Sequence, residues 1–172
     1  MTKLKETAAV LGLMLAGLVW PDIDQAIPFL PHRSGLTHSV LLPLALLGAG
    51  ILRGPLLGGL LLGLGISLTA DLFPRHWIGF AEIYLPLWGS LGWLSPAWLA
   101  ANVLAALILA HVELTAGGRR HWPWLTYGAA ALLSVAYAIL VEHSLWPLLA
   151  FPALWVLSVK LATRAFGPRA GP

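Results

Sequence analysis

The stretch "PLLGGLLLGLGISLTADLF", residues 55–73, is apolar over almost its whole length and carries an aspartate near its end. Roughly 20 consecutive apolar residues suffice for a helix to cross a bilayer. Working outward from it, further apolar segments fall at Thr7–Trp20, His38–Leu52, Leu94–His111, Trp124–Val141 and Leu145–Ala162. Of the chain's 172 residues, 59% are hydrophobic and only 10% charged, with a mean hydropathy of +0.83. Soluble domains carry about 25% charged residues, so this surface holds too few charges to face water. A closed β-barrel is the other way to span a membrane, but period-two alternation is absent. The pattern predicts an all-α, polytopic helical membrane protein with about six apolar helices, or five, folded as a single domain over 1–172. The first two segments are short for a full crossing, so tilt, bilayer thinning or an incomplete span is expected of them.

Gly54, Gly58, Gly59 and Gly63 form two small-xxx-small spacings in the third segment. Such glycines predict close helix packing in a membrane. Lys3 and Lys5 precede an apolar run like the start of a signal peptide, but no small-x-small cleavage site stands before Trp20-Pro21, which predicts an uncleaved first helix.

Basic residues orient the bundle. With the N-terminus inside, Lys3, Lys5, Arg53, Arg119, Arg120, Lys160, Arg164 and Arg169 share the inner side, while only Arg33 and Arg75 lie outside. This positive-inside bias predicts that both ends are cytoplasmic. Trp20, Trp77, Trp88, Trp93 and Trp146 then sit near the outer interface. The net charge of +3 is small and scattered, which fits topology and offers no nucleic-acid surface. The same assignment gathers Asp22, Asp24, His32, His38, Asp71, His76, Glu82, Glu142 and His143 at one membrane face.

With no cysteine in the chain, disulfides and thiolate ligands are excluded. Any metal is left to His, Asp and Glu, a donor set that suits zinc or manganese. In "PDID", residues 21–24, an extended backbone would aim Asp22 and Asp24 the same way, to share a cation. A helix-ending turn in which the aspartates cap backbone groups is the alternative. In "HRSGLTHS", residues 32–39, Thr37 or Ser39 is placed to cap the second helix, with His38 in its first turn. His32 is free to fold back on the same loop. The fork of Arg33 suits two oxygens of a phosphate or carboxylate, or else a lipid headgroup or Asp24. Asp71, at a helix end, is expected to be paired or coordinating, with Ser67 one turn before it. For His76 an interfacial place is expected, for Glu142 and His143 solvation in a tight turn, and for Glu113, Arg119, Arg120 and His121 a charged anchor on the opposite side.

These motifs together, "PDID", "HRSGLTHS" and an Asp closing an apolar helix before Pro74, resemble the membrane-bound metal-dependent hydrolases. These are also described as LexA-binding, inner-membrane-associated hydrolases, remotely like zinc phospholipase C. The resemblance covers roughly residues 10–76. It implies Asp22, Asp24, His32, His38 and Asp71 as metal ligands or acid–base groups, with Arg33, Thr37 and Ser39 in support. Three departures stand out: Gln25 where the family commonly writes His, Ser67 where it writes His, and an extra residue in "HRSG". His76 or His143 is available to replace a missing imidazole.

The resulting expectation is a metal-dependent hydrolase at the outer face of a plasma (inner) membrane, bacterial or archaeal. Its ion would bring a bound water's pKa to about 7, an Asp of the Asp22/Asp24 pair would orient or deprotonate that water, and Arg33 would hold a phosphate oxygen. Membrane lipids are the expected surroundings, and a phosphoester of a lipid or membrane-associated molecule the expected substrate. The alternatives are a non-catalytic scaffold or regulatory protein keeping a degenerate site, favoured by Gln25 and Ser67, and an ion or proton transporter. Against transport, no acidic residue falls midway through the last three segments.

Overall fold

A computed structural model describes residues 3–73, 81–116 and 121–166. Arg75, His76, Trp77, Arg119, Arg120 and Arg169, named above, lie outside the described residues.

The first apolar segment is longer than its composition indicated. Helix α1 (Lys3–Val19) continues into a 3-10 turn, Trp20–Ala26, with Pro21 in the first turn, where a missing N–H costs nothing. Helix α2 (Leu41–Gly48) is much shorter than the segment that predicted it. Gly50 ends it with a left-handed backbone (φ 70°); its N–H donates to the carbonyl of Leu47, and that of Ile51 to Leu46. Only glycine takes that conformation without strain, and the paired bonds satisfy the last carbonyls of the helix. Helix α3 (Gly54–Asp71) follows, then a hairpin of strands β1 (Tyr84–Leu85) and β2 (Gly89–Ser90), and helix α4 (Ser95–Thr115). Helix α5 (His121–Tyr137) runs into a π-helical turn, Ala138–Glu142, closed by left-handed His143, and helix α6 (Trp146–Phe166) completes the described chain.

Among the described residues five helical stretches are long and apolar enough to cross a membrane: Leu4–Ala26, Gly54–Asp71, Gly92–Thr115, Trp122–Glu142 and Trp146–Phe166. Helix α2, about 12 Å long at 1.5 Å per residue, is not. The architecture is a membrane-embedded helical bundle.

Contacts at the glycines set the helix directions. Gly59 meets Val10 and Gly63 meets Met14, so α1 and α3 run parallel. Gly58 meets Leu114 and Gly65 meets Leu107, so α4 runs antiparallel to α3. Helix α3 is thus the buried central helix, presenting Gly59 and Gly63 to α1 and Gly58 and Gly65 to α4. A missing Cβ lets two backbones approach closely, and without a hydrophobic driving force between helices in lipid, that contact carries the association. Gly54, paired with Gly58 in the sequence reading, acts differently. It starts the helix with φ 59° and contacts nothing through a would-be Cβ.

Because α1 and α3 are parallel, the chain returns through α2 and the turn after it. Lys5, Arg53, Lys160 and Arg164 share one end of the bundle. Arg33 and most of the acidic side chains occupy the other. Glu113 accepts a hydrogen bond from the Gly54 N–H at 2.5 Å, which puts an anion at the start of α3. Carboxylates there complement unpaired N–H groups and the helix dipole. Glu113→Gln is expected to lower stability by about 1 kcal/mol, read as a small downward shift of the thermal midpoint in detergent.

Candidate functional site

The acidic end is assembled from the first loop, the end of α3 and the start of α4. Pro21 sets the 3-10 turn, and at three residues per turn Asp22 and Asp24 point to different sides. The shared carboxylate pair expected of an extended "PDID" does not form: Asp22 is exposed and takes a hydrogen bond from Gln25 Nε2 at 3.0 Å, whereas Asp24 is buried. The capping alternative describes Asp24 better. Its Oδ2 accepts the Ser34 N–H at 2.9 Å and the Thr37 hydroxyl at 3.0 Å, and its Oδ1 lies 3.4 Å from His32 Nδ1. A buried carboxylate satisfied by donors from residues 32–38 fixes that loop against the turn that carries it.

Thr37 therefore serves Asp24 and does not cap α2, whose N-terminal flank, Val40, has no side-chain cap. Ser39 Oγ instead donates to Leu36 O and accepts the Leu41 N–H at 3.3 Å. His38 lies ahead of the helix and not in its first turn, and is buried at 1% exposure. Helix α4 grips this segment from outside: Trp98 Nε1 donates to His38 O at 3.0 Å, and Asn102 Oδ1 accepts the Val40 N–H at 3.0 Å.

The ring of His38 joins two carboxylates. Around Nδ1 stand Thr37 Oγ1 at 3.1 Å, Ser34 O at 3.2 Å and Asp24 Oδ2 at 3.5 Å. All of them can accept, so the ring proton belongs on Nδ1. Burial holds the imidazole below its ordinary pKa against the pull of Asp24, and so keeps it neutral. Its Nε2 then points a lone pair at Asp71 Oδ2, 3.5 Å away. Two acceptors facing each other need a cation or a proton between them. The separation exceeds a hydrogen bond and is close to the roughly 3.3 Å between two ligand atoms of a tetrahedral zinc ion with bonds of 2.0–2.1 Å. The donor chemistry suits a divalent ion at this pair, with Asp24 as the carboxylate that orients the ligating imidazole. Among the described residues, no three His, Asp or Glu side chains are grouped to hold one ion.

Other charges face the pair. Asp22 is exposed, and Arg33 and Glu142 are half-buried. Arg33 has a left-handed backbone (φ 60°). Hydrogen bonds from Tyr84 N to Arg33 O (3.0 Å) and from Gly35 N to Tyr84 O (2.8 Å) tie it to the hairpin. Beside it opens a cavity of about 380 Å³ lined by Pro31, His32, Arg33, Glu82 and Tyr84. Glu82 accepts hydrogen bonds from the hydroxyls of Tyr84 and Ser90. The Asp71 side chain remains 22% exposed, whereas those of His38 and Asp24 are almost fully buried.

The predicted residues therefore divide. Asp24, His32 and His38 are joined directly, and His38 reaches Asp71. Asp22 and Arg33 border the group, and His143 is exposed in the turn after α5. Glu142, at the end of the π-helical turn, is half-buried. Sequence reading missed Ser34, Trp98 and Asn102. Trp98 and Asn102 stand four apart on one helix face, but nothing local links them to a loop sixty residues earlier. No family model matches the chain, and neither the curated proteins nor the solved structures contain a match to it.

Proposed function

We propose that this protein is a membrane-bound, metal-dependent hydrolase of the kind its motifs resemble, cleaving a phosphoester of a lipid or membrane-associated substrate. The observation that carries the reading is the buried His38 Nε2 standing 3.5 Å from the Asp71 carboxylate, with Asp24 behind the ring. In this reading His38 and Asp71 would hold a zinc or manganese ion, and Asp24 positions His38. The bound ion would supply polarisation of the scissile group and a water nucleophilic near neutral pH. Asp22, exposed at the same end of the bundle, would take a proton from that water, and Arg33 would pair with a phosphate oxygen. Water adds to phosphorus, the phosphorus–oxygen bond to the alcohol breaks, and the proton ends on the departing oxygen. The cavity beside Arg33, lined also by Pro31, His32, Glu82 and Tyr84, suits a headgroup joined to chains that stay in the bilayer. The excess of basic residues at the opposite end favours an inner-membrane protein whose site faces outward.

The test is metal content and calorimetric titration with zinc and manganese on the purified protein in detergent. Near-stoichiometric binding is expected, weakened at least about tenfold in His38→Ala and Asp71→Ala. Arg33→Ala should retain the metal and lose phosphoester turnover. A folded wild type that takes up neither ion removes this reading. One observation favours a scaffold instead: Asp24 is satisfied by its own loop, and a purely structural knot predicts that metal-free outcome.

A further inference from the structure

The hairpin between α3 and α4 places its largest apolar side chains where the protein does not use them. Its base is firmly held: Ala81 and Ile83 are fully buried, and the Ile83 N–H donates to Ser95 Oγ at 2.9 Å. Tyr84 and Leu85 pair with Ser90 and Gly89, and Tyr84 bridges to Ser34 of the first loop. Its tip, by contrast, is bare. Leu87 is 104% exposed and Trp88 86%, and Trp93, just past the hairpin, is 80% exposed. Leu87 also has a left-handed backbone (φ 72°), which a leucine adopts against steric strain and a glycine would adopt freely. Neither internal packing nor the turn itself calls for leucine there, so the side chain answers to something outside the chain.

Chain continuity says what that is. Gly92, two residues after β2, begins a membrane-crossing stretch, Gly92–Thr115, and Trp93 stands at its first turn. The hairpin must therefore lie at the membrane–water boundary, where tryptophan rings settle with their apolar body in lipid and their N–H in the headgroups. We infer that Leu87, Trp88 and Trp93 form an interfacial anchor seated in the headgroup–acyl boundary of the bilayer, and that its partner is lipid. Through the Tyr84 bonds to Arg33 and Gly35, the anchor fixes the depth of the site loop. The inference stands on exposure, backbone conformation and chain connection, and holds whether or not the site is catalytic.

The chain contains no cysteine, so a single Leu87→Cys change gives one place for an environment-sensitive fluorophore on the full-length protein. The labelled protein goes into vesicles of phosphatidylcholine with phosphatidylglycerol, beside Pro28→Cys labelled on the exposed first loop and Trp93→Cys as a second anchor position. At Leu87 and Trp93 the expected result is blue-shifted emission, quenching by headgroup-proximal nitroxide lipids, and loss of the iodide quenching seen at Pro28. Iodide quenching at Leu87 equal to that at Pro28 would overturn the inference. So would protection from iodide without nitroxide quenching but with self-quenching that rises with protein-to-lipid ratio, since a second copy of the chain would then cover the tip. Circular dichroism matching the unlabelled protein ensures that the probe reports on the folded state.

Discussion

Gly63→Ala is expected to be among the most damaging single-atom additions in this protein, while the same change at Gly12 does almost nothing. A Cβ at Gly63 would lie 1.8 Å from the carbonyl oxygen of Met14 and 2.8 Å from the Leu18 nitrogen. Both obstacles are backbone, so no rotamer relieves the overlap and α1 must move away from α3. Even a 0.5–1 Å gap forfeits about a quarter to a half of each dispersion contact, and here the gap runs along the most extensive helix pair of the bundle. A loss of about 3 kcal/mol follows, the upper part of the usual range for overpacking. At Gly12 a Cβ meets nothing within 4 Å, so helix propensity alone applies, a gain of up to about 1 kcal/mol. Unfolding of the two variants in mixed detergent measures the difference. Equal stability would mean that the parallel contact of α1 with α3 is not made.

Asp24→Ala should cost a comparable amount, about 2–4 kcal/mol, because buried donors lose their acceptor at about 1–3 kcal/mol for each one left unmet. The substitution strips acceptors from the Ser34 N–H and the Thr37 hydroxyl and takes the nearest carboxylate from two histidines. Thr37→Val, which keeps the volume but removes a hydroxyl lying within hydrogen-bond reach of Asp24 Oδ2, Ser34 O and His38 Nδ1, should cost about 1–2 kcal/mol. The effects differ in place as well as size. Loss of Asp24 frees the loop, so tryptic cleavage at Arg33 should accelerate well before the bundle melts, whereas Thr37→Val leaves Arg33 protected. Cleavage at Arg33 no faster in Asp24→Ala than in the wild type would show that the loop is held by other contacts.

The class of fold was legible because it depends on composition: five apolar runs became helices of spanning length. Segment boundaries were less so. The second run, His38–Leu52, shrank to eight helical residues because His38 and Ser39 are drawn into the site turn and Gly50 reverses the backbone. Small residues in α3 foretold close packing, but whether a glycine faces α1, faces α4 or, like Gly54, turns the chain depends on partners distant in sequence. At the site, the ionisable residues announced themselves by rarity in an apolar chain. Their roles did not: Pro21 wound an apparently extended "PDID" into a turn that buries one aspartate and exposes the other. The orientation of His38 comes partly from Trp98 and Asn102, whose spacing carries no chemical signal.

The parallel course of α1 and α3 bears on how the chain enters its membrane. The surface that α1 packs against is synthesised some fifty residues after it, and the chain comes back through residues 27–53, whose one helix has eight residues. A helix of about 12 Å is too short to cross a hydrocarbon core of about 30 Å, so the loops on either side of α2 complete the return. Within α2 only Pro43 is buried. Docking of α1 on α3, and completion of the acidic site that joins the first loop to the end of α3, therefore both wait until α3 has been made.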